Sequence, residues 1–115
     1  MTINDYSLMC RLGCTEGERS IPQEVRVTIL IRFLELPKAC TTDCLEDTVC
    51  YSALCSIIDG ISDSNTFHTV EHLGHEIYRK IHNEFSEQIN FQLSLQKVRP
   101  PLDNLINGVL SLIHI

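Results

Sequence analysis

Apolar residues alternate with polar ones through the first third of the chain and recur at three- and four-residue intervals through much of the middle. Tyr6, Leu8, Cys10 and Leu12 sit on alternate positions and predict a strand over residues 3–12. Residues 13–22, with Gly13, Gly17 and Pro22, read as a polar connection. From Gln23 to Leu34, Val25, Val27, Ile29, Ile31 and Phe33 share one face and Arg26, Thr28, Leu30 and Arg32 the other, which predicts a second strand. The two strands are close enough in sequence to pair as an antiparallel hairpin. Pro37 ends the second.

The period changes across the stretch from Asp43 to Tyr51. Beyond it, Tyr51, Leu54, Cys55, Ile58 and Ile61 mark one face of a short helix, and residues 60–65 read as a loop. A longer helix is predicted from about His68 to Phe85, with Val70, Leu73, Gly74, Ile77, Ile81 and Phe85 as its buried stripe; Gly74 within it suggests a close packing contact. Ile89, Phe91, Leu93 and Leu95 then alternate with Asn90, Gln92, Ser94 and Gln96 as a third strand, closed by Lys97 to Pro101. Asn107 and Gly108 lead into a last strand over residues 109–114.

The order strand, strand, helix, helix, strand, strand suits an α+β domain: a four-stranded antiparallel sheet with both helices on one face. Its other face then carries Arg26, Thr28, Arg32, Asn90, Gln92 and Ser94 and can stay wet. Its outer strands keep unpaired backbone groups, which favours joining to neighbouring copies.

The 115 residues make one domain over 1–115, able to bury roughly two-thirds of the unfolded surface. A net charge of −6 without a Lys/Arg stripe argues against nucleic-acid binding. No apolar run approaches the ~20 residues of a bilayer span, and residues 1–5 do not resemble a signal peptide, so a soluble cytoplasmic protein is expected. Six cysteines without a secretory signal read as reduced, mostly buried thiols. Cys40, Cys44, Cys50 and Cys55 are a conceivable zinc set, but their spacing is not the usual one.

His68-Thr69-Val70-Glu71-His72 matches the inverted zinc-protease pattern. The motif is short, and no third ligand follows at a suitable helical position. His75 lies off the line of His72, and solvated helix histidines are the simpler reading. Glu71, in the first turn of the long helix, complements the helix dipole or faces a donor-rich ligand ring. Taken singly, Glu16, Glu18, Tyr51 and Lys97 are ordinary surface residues.

Together and in order, four motifs resemble the dihydroneopterin aldolase family over nearly the whole chain. They are Leu12-Gly13-Cys14 with Glu18 and Gln23, the Asp43 to Tyr51 stretch with Asp47-Thr48-Val49, Thr69-Val70-Glu71-His72-Leu73, and Leu95-Gln96-Lys97 with Pro100-Pro101. The resemblance implies the tunnelling fold (T-fold). Four chains would close a sixteen-stranded β-barrel ring, two rings would stack into an octamer, and the sites would lie between subunits. It also implies cleavage of 7,8-dihydroneopterin without cofactor, metal or Schiff base. Lys97 would be the acid/base residue. Tyr51 of the adjacent subunit would assist proton transfer and pack on the ring. Glu71 and backbone groups near Val49 and Val70 would bind the pterin edge, and Glu18 the tail hydroxyls. Cys14-Thr15-Glu16-Gly17 stands where many members have Tyr-x-His-Gly, so the preferred tail stays open. The alternatives are dihydroneopterin triphosphate 2′-epimerase, whose charged tail would call on cations such as Arg19, Arg26 and Arg99, and a non-catalytic pterin-binding or assembly protein.

Overall fold

Alternation and burial coincide along the long strands. In the computed structural model, which describes residues 1–99 and 108–113, β1 (Thr2–Leu12) buries Leu8, Cys10 and Leu12, and β2 (Gln23–Phe33) buries Val25, Val27, Ile29 and Ile31. Between them a turn carries a single helical turn, α1 (Glu16–Arg19), capped by the Thr15 hydroxyl, which accepts from Glu18 N at 3.1 Å. After β2 the chain folds through α2 (Ala39–Thr42) and a 3-10 turn (Leu45–Asp47) into α3 (Tyr51–Ser64). Two extended residues, β3 (Thr66–Phe67), precede α4 (Val70–Phe85); β4 (Ile89–Lys97) and β5 (Val109–Ile113) follow. Pro100, Pro101, Asn107 and His114, assigned above to strand ends, lie outside the described residues.

The sheet has five strands in the order β3-β1-β2-β4-β5 rather than four. Four are antiparallel neighbours, but β3 pairs parallel to β1, Arg11 with Thr66 and Leu12 with Phe67, so the sheet is mixed. Two residues are too few to show a period of two, which is why the pattern missed them.

Both long helices lie on the apolar face. On α4, Val70, Leu73, Ile77 and Ile81 are buried, each such side chain contributing about 1.5–3 kcal/mol relative to exposure. A Cβ at Gly74 would overlap the Ile113 side chain and stand 3.1 Å from Leu95 Cδ1, so the glycine does mark a close approach, of α4 to β4 and β5. Residues 60–65 are not a loop. The helix runs through Gly60 because Ile61 and Ser62 continue the buried face of Leu54 and Ile58, and the Asn65 amide closes it by donating to the Ile61 carbonyl at 3.1 Å. Conversely α4 begins at Val70, two residues later than His68, because Thr69 caps it by accepting from His72 N at 3.1 Å.

The opposite sheet face carries Arg26, Thr28, Arg32, Asn90, Gln92 and Ser94, all at least partly exposed, but it also exposes Met9, Leu30, Leu110 and Leu112, so it is mixed rather than wholly polar. Of the six free thiols only Cys10 is buried, against the expectation of mostly buried cysteines. Cys14, Cys40, Cys44 and Cys50 sit on turns and helix ends, and Cys55, within α3, is half-buried at the margin of that helix's apolar face.

Candidate active site

β1 and β4 run the same way, so the ends of β1, β4 and the start of β2 meet at one edge of the domain. There Lys97 Nζ donates to Glu18 Oε2 at 2.5 Å, and the two side chains are 12% and 13% exposed. Glu18 Oε1 accepts from Cys14 N at 2.9 Å. The Lys97 hydrogen bond, with the Cys14 N–H assisting, holds the Glu18 carboxyl below the usual Glu value despite its partial burial. Gly13 is pressed flat against this carboxylate: a Cβ there would overlap the Glu18 side chain.

The start of α4 belongs to the same edge. Gly13 N donates to the Phe67 carbonyl at 3.0 Å, three residues before Val70. Gly74 packs on Leu95, two residues before Lys97. The first turn of α4, with exposed Glu71, and the last residue of β4, Lys97, therefore lie at the same end of the domain. The positive end of the helix dipole favours a carboxylate at that place.

Val49 and Tyr51 are elsewhere. Val49 is buried beside a cavity of about 440 Å³ lined also by Phe33, Leu34, Glu87 and Gln88, at the opposite end of the sheet. Phe33 pairs with Ile89, and the run from Ile89 to Lys97 spans about 26 Å at ~3.3 Å per residue. Tyr51 opens α3 after Cys50 as N-cap and is 64% exposed. One chain thus brings Glu18 and Lys97 into contact, starts α4 with Val70 and Glu71 at the same end of the sheet, and leaves Val49 and Tyr51 towards the other end.

His68 precedes the α4 cap, so His68 and His72 do not share a helix face. His72 packs on Phe67, ring centroids 5.5 Å apart. Among the described residues no group of three His, Cys, Asp or Glu side chains is placed to hold a metal ion, and no helix is long and apolar enough to cross a membrane.

Residues 1–112 match the model of the FolB, dihydroneopterin aldolase, family. The chain belongs to that family. A probable dihydroneopterin aldolase of Chlamydia trachomatis is 34% identical over 110 residues, spanning 95% of this chain and 89% of the relative. One from Chlamydia pneumoniae is 30% identical over 110 residues, spanning 95% and 82%. In fold the chain is similar to E. coli dihydroneopterin aldolase, solved in complex with neopterin, with a TM-score of 0.84 at 19% identity over 97% of this chain and 96% of that one. It is also similar to the Burkholderia thailendensis enzyme bound to guanine, TM-score 0.71 at 16% identity over 100% and 89%. The architecture is accordingly the α+β tunnelling fold.

Two residues of the first motif's turn have roles that residue type did not reveal. Arg19 reads in the sequence only as an available cation; it donates from Nη1 to the Gly13 carbonyl at 2.9 Å. The Gln23 amide donates to the Leu12 carbonyl, fastening the same turn. Nothing in residue type alone distinguishes a guanidinium that satisfies a backbone carbonyl from one in solvent.

Proposed function

We propose that the protein is a dihydroneopterin aldolase of folate biosynthesis, acting in the cytoplasm on 7,8-dihydroneopterin. The observation that carries this reading is the Lys97–Glu18 pair, a proton donor–acceptor couple held at the edge where Glu71 is presented. Glu71 accepts from the ring's 2-amino group and N3, a two-bond contact suited to a carboxylate. Backbone groups at Val70 complete that edge, and Glu18 receives the tail hydroxyls.

Once the Lys97 ammonium has given a proton to solvent, its neutral amine accepts the 2′-hydroxyl proton, and that carbon becomes an aldehyde as the bond between the first and second side-chain carbons breaks. The bonding pair moves into the C6=N5 imine of the dihydropterin, so the electron sink is the substrate's own and neither metal nor Schiff base is required. Return of a proton to the first side-chain carbon restores the imine. The products are 6-hydroxymethyl-7,8-dihydropterin and glycolaldehyde, with no net proton change.

Tyr51 and Val49 enter this scheme from a neighbouring copy, which covers the ring and passes the proton through water. The distance between the two ends of one chain supports this. So do the open edges: β5 on one side, and on the other β1, covered by β3 only at Arg11 and Leu12. Joining these edges head to tail generates a closed ring with the helix-free face inside, a tetramer that can stack as an octamer.

A triphosphate-bearing tail, the epimerase substrate, needs several free cations. Here Arg26 pairs with Glu24 at 3.2 Å and Lys97 with Glu18, while Arg19 and Arg11 donate to the carbonyls of Gly13 and Ser20; Arg99 is exposed, and one such cation against three phosphates favours the uncharged tail. Incubation with dihydroneopterin and, separately, its triphosphate tests the proposal. Glycolaldehyde from the first is expected; epimer from the second without glycolaldehyde, or binding without turnover, overturns it.

A further inference from the structure

We infer that Arg19 is a positioning residue of this site, clamping the Gly13–Cys14 turn so that Glu18 and Lys97 stay aligned. The inference rests on the aldolase reading for its kinetic consequence, but its structural content stands separately.

Gly13 is buried, and both of its polar backbone groups are engaged: its N–H donates to Phe67 O at 3.0 Å and its carbonyl accepts from Arg19 Nη1 at 2.9 Å. Glycine is the freest residue of the backbone, so a glycine in a fixed place depends on such contacts more than any other residue would. The place is fixed on both sides. Glu18 lies against the α-carbon with no room for a Cβ, and the next N–H, that of Cys14, holds Glu18 Oε1.

Rotation of the Gly13–Cys14 peptide would therefore withdraw a donor from Glu18 and strand a buried carbonyl at once. Arg19 prevents that rotation from the residue next to Glu18 itself. Its own backbone N–H donates to Thr15 O at 3.1 Å, so the clamp is closed within one helical turn. The guanidinium acts through the peptide, by way of the Gly13 carbonyl, and not on the Glu18 carboxylate itself. The groups facing the Glu18 side chain are Lys97 from β4, the Cys14 N–H from the turn and Gln23 from β2.

The test compares wild type, Arg19→Met and Arg19→Lys as full-length protein. Deuterium exchange of the segment 12–18 reads the turn directly. Protection falls in Arg19→Met and is partly restored in Arg19→Lys, while the β2 and β4 segments keep theirs. With dihydroneopterin, kcat falls about tenfold in Arg19→Met, the worth of one charge-assisted hydrogen bond. The acid limb of its pH profile moves to higher pH, and the dissociation constant for the product pterin is unchanged. Unaltered exchange at 12–18, or loss of protection throughout the sheet, overturns the inference. A wild type that cleaves nothing, with exchange still raised at 12–18 in Arg19→Met, leaves the clamp standing and removes the aldolase reading instead.

Discussion

Lys97 and Glu18 are 79 residues apart in sequence, yet their side chains meet at 2.5 Å. The contact exists because β2 pairs with both β1 and β4, so the turn leaving β1 and the last residue of β4 end at one edge. Lys97→Ala removes the proposed acid/base group and is expected to lower turnover about 10²–10⁴-fold, the usual worth of a positioned acid or base. Affinity for a pterin, which the proposed function assigns to Glu71 on another element, changes little. Single-turnover cleavage and pterin titration measure the two separately; near-normal turnover would take Lys97 out of the reaction.

Glu18 gives the site a stability signature on the acid side. Lys97 and the Cys14 N–H lower its carboxyl pKa from the ordinary 4.5. A depressed carboxyl contributes stability that is fully present above the unfolded-state value and is lost as pH falls through the folded-state value. The melting-temperature difference between wild type and Glu18→Gln should be constant from neutral pH to about 4.5 and should shrink below it. A difference that does not change on acidification means that the pair does not form.

Tyr6 and Asp59 give the opposite sign. The Tyr6 hydroxyl donates to both Asp59 oxygens, at 2.9 and 2.8 Å, tying β1 to the middle of α3. That hydrogen bond to a carboxylate, with burial adding to it, raises the phenol pKa from 10.0 to about 12. A raised pKa on this group means stability fully present below 10 and lost as pH climbs towards 12. Tyr6→Phe should cost about 1 kcal/mol at neutral pH, within the range for a single hydrogen bond. The gap to wild type should close in alkaline denaturation curves.

Periodicity made the long elements legible because each has a wet face and a dry one. Val25 to Ile31 and Ile89 to Leu95 are buried on the alternate positions that the pattern marks, and Gly74 meets Ile113 and Leu95 as its place in the stripe implied. What periodicity could not reach were features shorter than a period or set by backbone. Thr66–Phe67 is two residues long. The end of α3 depends on burial of Ile61 and Ser62 rather than on avoidance of Gly60. The candidate site was visible as residue types in order, but the contact between Lys97 and Glu18 needs the pairing of three strands. The roles of Gly13 and Arg19 need a peptide orientation that no side-chain sequence encodes.

The separation of Tyr51 from Lys97 gives the assembly a kinetic test. If each site takes Lys97 from one copy and Tyr51 from the next, Lys97→Ala and Tyr51→Ala are each inactive as pure proteins. Unfolding and refolding them together at equal amounts builds mixed rings. A site is then whole only where a Tyr51→Ala chain supplies Lys97 and a Lys97→Ala chain supplies Tyr51. Random mixing makes that combination at about one interface in four, so about a quarter of wild-type activity should return. Size-exclusion chromatography establishes that the mixed species has the wild-type mass. Rings of normal size with no recovered activity would place both residues' function within a single chain, against the separation of about 26 Å between the two ends of β4.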